Sequence, residues 1–191
     1  MKLFLSPLLS VLLAVLLQGC QGAPTRFYTL YPVPPETPPA VYGGPPVKVD
    51  TVHLPSALNR TEVLSSLSDG QVQIHDLAYW SEPLRESAPR IFSADLMERL
   101  PEGKVAFPSL PKPEGALGID VDVLQFTVGA TGAELRAGWL IQGPDADRRG
   151  AVTLHRAAPG TDAKSVVDTL SRLLGELADR VTASLTSAGA R

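Results

Sequence analysis

Residues 117–156, LGIDVDVLQFTVGATGAELRAGWLIQGPDADRRGAVTLHR, decide the fold. Three runs of alternating apolar and polar residues are separated by two turn segments, Gly129-Ala130-Thr131-Gly132 and GPDADRRG at 143–150. Alternation of period two sends one face of a strand into a core and the other into solvent, so this stretch predicts a three-stranded antiparallel meander. On its middle strand Leu135, Ala137, Trp139 and Ile141 share a face, which makes Trp139 a core residue. A sheet with one apolar face needs a second layer to cover it.

The cover follows directly in the sequence. In residues 162–187 the apolar side chains Val166, Val167, Leu170, Leu173, Leu174, Leu177, Val181 and Leu185 recur at helical spacing and form one stripe. Asp168 with Arg172 and Glu176 with Arg180 are acid-to-base pairs four residues apart on the other face. Gly175, mid-helix, costs about 1 kcal/mol relative to alanine and marks close packing. A second helical period (Leu84, Ala88, Ile91, Phe92, Leu96, Leu100) precedes the meander, but Pro89 falls inside it. Proline is tolerated only in a first turn, so two readings stay open: a helix capped by Ser87, or a kinked one starting near Glu82.

Upstream lie three more predicted strands: residues 26–30 (RFYTL), 47–55 (VKVDTVHLP, ending at Pro55), and GQVQIHDLAYW from Gly70 to Trp80. Between the first two, residues 31–46 hold seven prolines, which fix φ and remove donors, so the segment reads as an extended loop or linker. The order is strand, proline loop, two strands, helix, three strands, helix. The fold class expected is a two-layer α+β (α/β) domain, a mixed sheet of five to six strands with two helices on one face.

The N-terminus carries a different signal. Met1 and Lys2 precede an apolar run from Leu3 to Leu17, too short to span a bilayer as a helix and suited to a secretory signal. The boundary Leu17-Gln18-Gly19-Cys20 resembles a bacterial lipobox, with Gln18 departing from the usual small or aliphatic residue. The competing readings are a plain signal peptide with an incidental cysteine and an N-terminal core helix. The lipobox resemblance implies a signal peptide over 1–19, removed at Cys20, and acylation of that cysteine with diacylglycerol and a further palmitate-class chain. Stable anchoring takes two membrane signals, and three acyl chains exceed that. Gln21 stands where aspartate would resemble an inner-membrane retention signal, so an outer-membrane, periplasm-facing location is expected. Residues 20–25 then form the lipidated end and a short tether, 26–187 one domain, and 188–191 a tail.

Removal of 19 residues leaves 172 of the 191, with a net charge of −4. A chain this long buries enough surface to fold without disulfides, and Cys20 is its only cysteine. The acidic balance and the lack of a basic run exclude an electrostatic nucleic-acid partner. No nucleophile elbow, phosphate loop, dinucleotide fingerprint or paired-histidine zinc motif occurs, so the chain is read as a non-enzyme without cofactor or metal. His53, His75 and His155 fall in separate strands and read as surface histidines rather than ligands. Asp120 and Asp122 point the same way and suit acid–base chemistry or a cation in principle, but they read as the wet face of a strand. Ser56, Ser65 and Ser66 have no base at a recognisable spacing, and Asn59-Arg60-Thr61 carries no weight as a glycosylation acceptor in a bacterial lipoprotein. Trp80, at a strand-to-helix junction, is less settled than Trp139, since tryptophan is enriched at interface hot spots.

Together these pieces resemble the PqiC family of ABC-type transport auxiliary lipoproteins. The resemblance covers almost the whole mature chain. It rests on the lipobox, FYTL at 27–30, VKVDTVHLP, VQIHDLAYWSEPL leading into RIFSADLMERL, IDVDVLQFTV, ELRAGWLI and LSRLLGELADRV. The Trp-x-Glu-Pro-Leu junction is its most distinctive element, and Trp80 and Glu82 are singled out there as candidate partner contacts. Leu54-Pro55-Ser56-Ala57-Leu58-Asn59-Arg60 keeps the family's pattern, whereas TEVLSSLSDG at 61–70 matches it loosely. The resemblance implies a docking subunit that works with an MCE-domain (PqiB-like) periplasmic protein and an inner-membrane permease in moving lipid between membranes, contributing to envelope integrity. It implies no catalytic residues and leaves a homo-oligomer open. The alternative is an anchored carrier with an apolar pocket between sheet and helices.

Overall fold

The computed structural model describes residues 23–39, 41–67, 70–144 and 147–187. The expected signal peptide at 1–19, Cys20 and the tail at 188–191 lie outside the described residues. Seven strands form one sheet: β1 (Arg26–Tyr28), β2 (Val47–His53), β3 (Glu62–Ser66), β4 (Val72–Trp80), β5 (Leu117–Gly129), β6 (Gly132–Gln142) and β7 (Arg148–Arg156). Two helices complete it, α1 (Leu84–Met97) and α2 (Ala163–Thr186).

The meander stands as predicted. β5, β6 and β7 pair antiparallel, Gly129 opposite Gly132 at the first turn and Val121 opposite Trp139. The sheet order is β1-β4-β3-β5-β6-β7, and β2 pairs parallel with β5 from Val47↔Leu117 to His53↔Asp122. β3 meets the far end of the same β5 edge at Ser66↔Gly129, so β2 and β3 divide that edge between them. β1 pairs parallel with β4, Arg26↔Ala78 to Tyr28↔Trp80, and forms a short outer strand. The domain is an α+β fold with an open mixed sheet.

α1 and α2 pack on each other; α1 lies on β2, and α2 on β3, β5, β6 and β7. All eight apolar residues of the predicted α2 stripe are buried, together with Phe92, Leu96, Phe126, Leu135 and Ile141. Asp162 caps α2, accepting from the backbone N–H groups of Lys164 (3.1 Å) and Ser165 (3.2 Å); the Ser165 hydroxyl, which also donates to it, and then these backbone bonds hold its carboxyl below the usual range. At the other end Arg148 donates to the carbonyls of Ser184 and Leu185, where a cation suits the helix dipole.

The expected mixed sheet with two helices is present, and three details differ from the sequence reading: an added strand, the ion pairs of α2 and the course of the proline segment. β3, which the apolar pattern does not mark, brings the sheet to seven strands. Its core-facing residues are Val63 and Ser65, while Leu64 faces outward opposite Ile74, which inverts the usual alternation. The helix around Pro89 follows the second of the two open readings in its start: it begins at Leu84 after Pro83, two residues past Glu82, and keeps Pro89 in its interior. The bond that Pro89 cannot donate would have gone to the carbonyl of Arg85, an exposed residue, so the freed acceptor lies on the solvent side of the helix. The predicted pairs on α2 are exchanged: Asp168 pairs with Lys164, and Glu176 reaches across to Arg156 of β7. The proline segment is not a free linker, because it is bound across the helix layer.

Candidate functional site

The residue types that carry chemistry are dispersed. His53 and His155 are exposed at the ends of different strands, and His75 lies half-buried against the Ser65 hydroxyl at 3.1 Å. Burial pushes the His75 imidazole below its ordinary range, against the pull of Asp162 and Asp76. Asp120 and Asp122 do share the outer face of β5; Asp120 accepts from the Thr51 hydroxyl at 2.5 Å, and Asp122 is exposed. Among the described residues no three histidine, cysteine or acidic side chains gather as metal ligands. No described helix is long and apolar enough to cross a membrane.

What the fold does bring together is the N-terminal strand, the strand-to-helix junction and the helix pair. β1 is docked by its ladder with β4 and by the Ser81 N–H donating to the Tyr28 carbonyl at 2.7 Å. Leu30, fully buried, seals its exit, and Phe27 and Tyr79 stack tilted on the outer face with centroids 6.1 Å apart. Trp80 and Glu82, the predicted contact pair, separate here. Trp80 is only 8% exposed and packs in the core, whereas Glu82 stands at the surface, ion-paired with Arg90 and within 3.5 Å of the Thr29 hydroxyl. Trp139 is buried as predicted, its indole lying over Gly150, where an added Cβ would sit 2.2 Å from Cζ2.

From Leu30 the chain crosses the helices. The Tyr31 N–H donates to the Ser171 hydroxyl and its phenol to Asp168. Val33 is gripped from both sides: its N–H donates to Asp95 Oδ1 at 2.7 Å, and its carbonyl accepts from Arg99 Nη1 at 3.0 Å. Arg99, itself buried, also donates through Nε to Asp179 of α2 at 2.6 Å. Gly175 provides the clearance, since a Cβ there would lie 3.1 Å from Val33 Cβ. Burial drives the Asp95 carboxyl up to about 7, although the Val33 N–H and Arg99 pull it down. Between the strap of residues 33–38 and α2 an open hollow of about 620 Å³ remains, lined by Arg99, Arg156, Arg172, Glu176 and Asp179. The cavity bounded by Trp80, Leu84, Phe126, Val128 and Leu170, between sheet and helices, holds about 10 Å³, too little for an acyl chain.

This grip was missed in the sequence. The available signal was an acid and a base four residues apart, Asp95 and Arg99, on the apolar side of a predicted helix beside a mid-helix glycine of the other.

Comparison with known proteins bears on this arrangement. A family model described as the ABC-type transport auxiliary lipoprotein component matches residues 28–182. A crystal structure of an uncharacterized protein aligns with TM-score 0.69 at 18% identity, covering 85% of this chain and 99% of that one. A Xanthomonas campestris protein of family model DUF330 aligns with TM-score 0.64 at 15% identity, covering 86% and 97%. No curated protein matches. The structural likenesses at these identities carry the fold alone; the family match runs from Tyr28, the last residue of β1, to the last turns of α2 and takes in the strap and α1. The chain therefore belongs to the family of ABC-type transport auxiliary lipoprotein components.

Proposed function

We propose that the protein is a non-catalytic docking subunit of an MCE-type intermembrane lipid transport system, held at the outer membrane by acylated Cys20 and facing the periplasm. Its partners in this reading are an MCE-domain periplasmic protein and an inner-membrane permease. The observation that carries the reading is the docking of β1 in the sheet. The first described strand then begins at Arg26, five residues of chain (21–25) from the proposed anchor. Five residues reach roughly 17 Å at full extension, so the domain works against the membrane surface. A long tether through Pro46, the other option the sequence allowed, requires an undocked β1. The cavity described beside Trp80 and Leu170 is too small to serve the carrier reading.

The test is fractionation with co-purification. Cys20→Ala protein should leave the outer-membrane fraction, while the intact lipoprotein retains its MCE-domain partner on affinity purification. Membrane retention of the Cys20→Ala protein after a high-salt wash, or a failure to retain any MCE protein, contradicts the proposal.

A further inference from the structure

The strand directions give the molecule two distinct ends. β3 ends at Ser66 opposite Gly129, β4 starts at Val72, β5 turns into β6 at Gly129–Gly132, and β7 ends at Arg156 opposite Ala133. Asp162 and Ala163, the start of α2, border the same hollow as Gln73–Ala78. All of these belong to one end. At the other lie the starts of β2 and β5, the turn after Gln142 and the last turn of α2.

The N-terminus leaves toward the first end. Because β1 runs parallel to β4 from Arg26↔Ala78, the chain before Arg26 heads toward Val72. Ala23 and Pro24 line the hollow along residues 73–78 of β4, which confirms that course. Cys20 is three residues beyond Ala23, a reach of roughly 11 Å at most.

This end also carries exposed apolar side chains that the core does not use. Val72 is 58% exposed, Ile74 45% and Leu67 45%. Leu67 closes the β3–β4 turn by donating its N–H to the Gln71 carbonyl at 2.8 Å, and Ile74 faces outward beside Leu64. The outward positions of β5 and β6 next to this rim are polar (Gln125, Thr127, Glu134 and Arg136), with the exposed Leu124 farther along β5. Apolar residues on a membrane-proximal rim lower their free energy by entering the headgroup–acyl boundary.

We infer that Leu67, Val72 and Ile74 rest in the bilayer interface, so that the hairpin end of the sheet is a second membrane contact and fixes the domain's orientation. The occupant is phospholipid, because a membrane held within reach of Ala23 meets this rim before any soluble partner. The inference rests on the acylation of Cys20 proposed above. With the domain oriented so, the loop ahead of β5, where Glu114 is exposed, points away from the membrane.

The experiment uses the mature lipidated protein in vesicles of phosphatidylethanolamine and phosphatidylglycerol. Its native thiol is acylated, so a cysteine introduced by Val72→Cys takes a polarity-sensitive fluorophore specifically, and Glu114→Cys serves as the distal control. The expected result is blue-shifted emission at position 72, with quenching by nitroxide-labelled lipid at least threefold stronger than at 114. Adding Leu67→Asp and Ile74→Asp should abolish that difference while the protein still floats with the vesicles. Equal, water-like emission at both positions in a floating protein overturns the second contact and leaves the anchor standing. Blue-shifted emission that lipid nitroxide does not quench, with a doubled mass, assigns the patch to a second copy and also overturns it. Failure to float, with an unacylated N-terminal peptide by mass spectrometry, overturns the anchor and this inference with it.

Discussion

Gly175 shows how much one missing methyl decides. In an exposed helix centre glycine is worse than alanine by about 1 kcal/mol, so propensity alone favours Gly175→Ala. Here the added Cβ would stand 3.1 Å from Val33 Cβ and 3.3 Å from Arg99 Nη2. The Val33 side chain, on a strap held at both its N–H and its carbonyl, and a buried guanidinium leave little room to yield. Gly175→Ala should therefore lose about 1–2 kcal/mol in urea denaturation, and a gain in stability would remove the close-packing account. Asp95 makes a different prediction. Its carboxyl, raised by burial to about 7 in the fold, returns to its ordinary range near 3.8 in the unfolded chain. Between those values the folded state binds more protons, so its contribution to stability declines as pH rises through that window and levels off above about 7. Asp95→Asn keeps an acceptor for the Val33 N–H and has no proton to lose. Its urea midpoint should vary less between pH 4.5 and 7.5 than the parent's; an unchanged slope would place the titration elsewhere.

At the scale of elements, the legible parts were those whose pattern coincides with burial. The meander and α2 could be read because every alternating or helical apolar position in them faces the core. β3 was illegible for a physical reason: Ser65 occupies a core position and satisfies its hydroxyl with His75, while Leu64 is outside. α1 was half-legible, since its stripe is clear but its start is set by tertiary packing of Leu84, which overrides the cost of Pro89. The Asp95–Arg99 grip on Val33 needed knowledge of where the proline segment runs, and proline content reveals only that the segment is extended. The candidate contact Trp80 reads alike in sequence whether it faces a partner or the core, and in the fold its side chain is buried. The strap and β1 share one anchor residue, Leu30, 1% exposed. Leu30→Ala should cost about 2–5 kcal/mol and expose residues 26–31 to trypsin and chymotrypsin in the otherwise native domain. Unchanged stability and resistance would mean that β1 is not held from this end.

For the whole molecule, everything proposed about position depends on where folded structure begins. A docked β1 puts a rigid domain within about 17 Å of Cys20, the proposed acylation site, whereas an undocked one adds the proline segment and lets the domain roam several times farther. The strap and the buried Leu30 both agree with a docked β1. The most direct measurement is a cysteine pair across the β1–β4 ladder, Phe27→Cys with Tyr79→Cys, made in the lipidated protein, where the native thiol is blocked. These residues are register partners, at a separation a disulfide spans. The account predicts an intramolecular Phe27–Tyr79 cross-link in nearly every molecule under mild oxidation, with Phe27→Cys paired to Val72→Cys staying reduced. Free thiols at 27 and 79, or equal cross-linking of both pairs, would contradict a docked β1 and the membrane-hugging domain built on it.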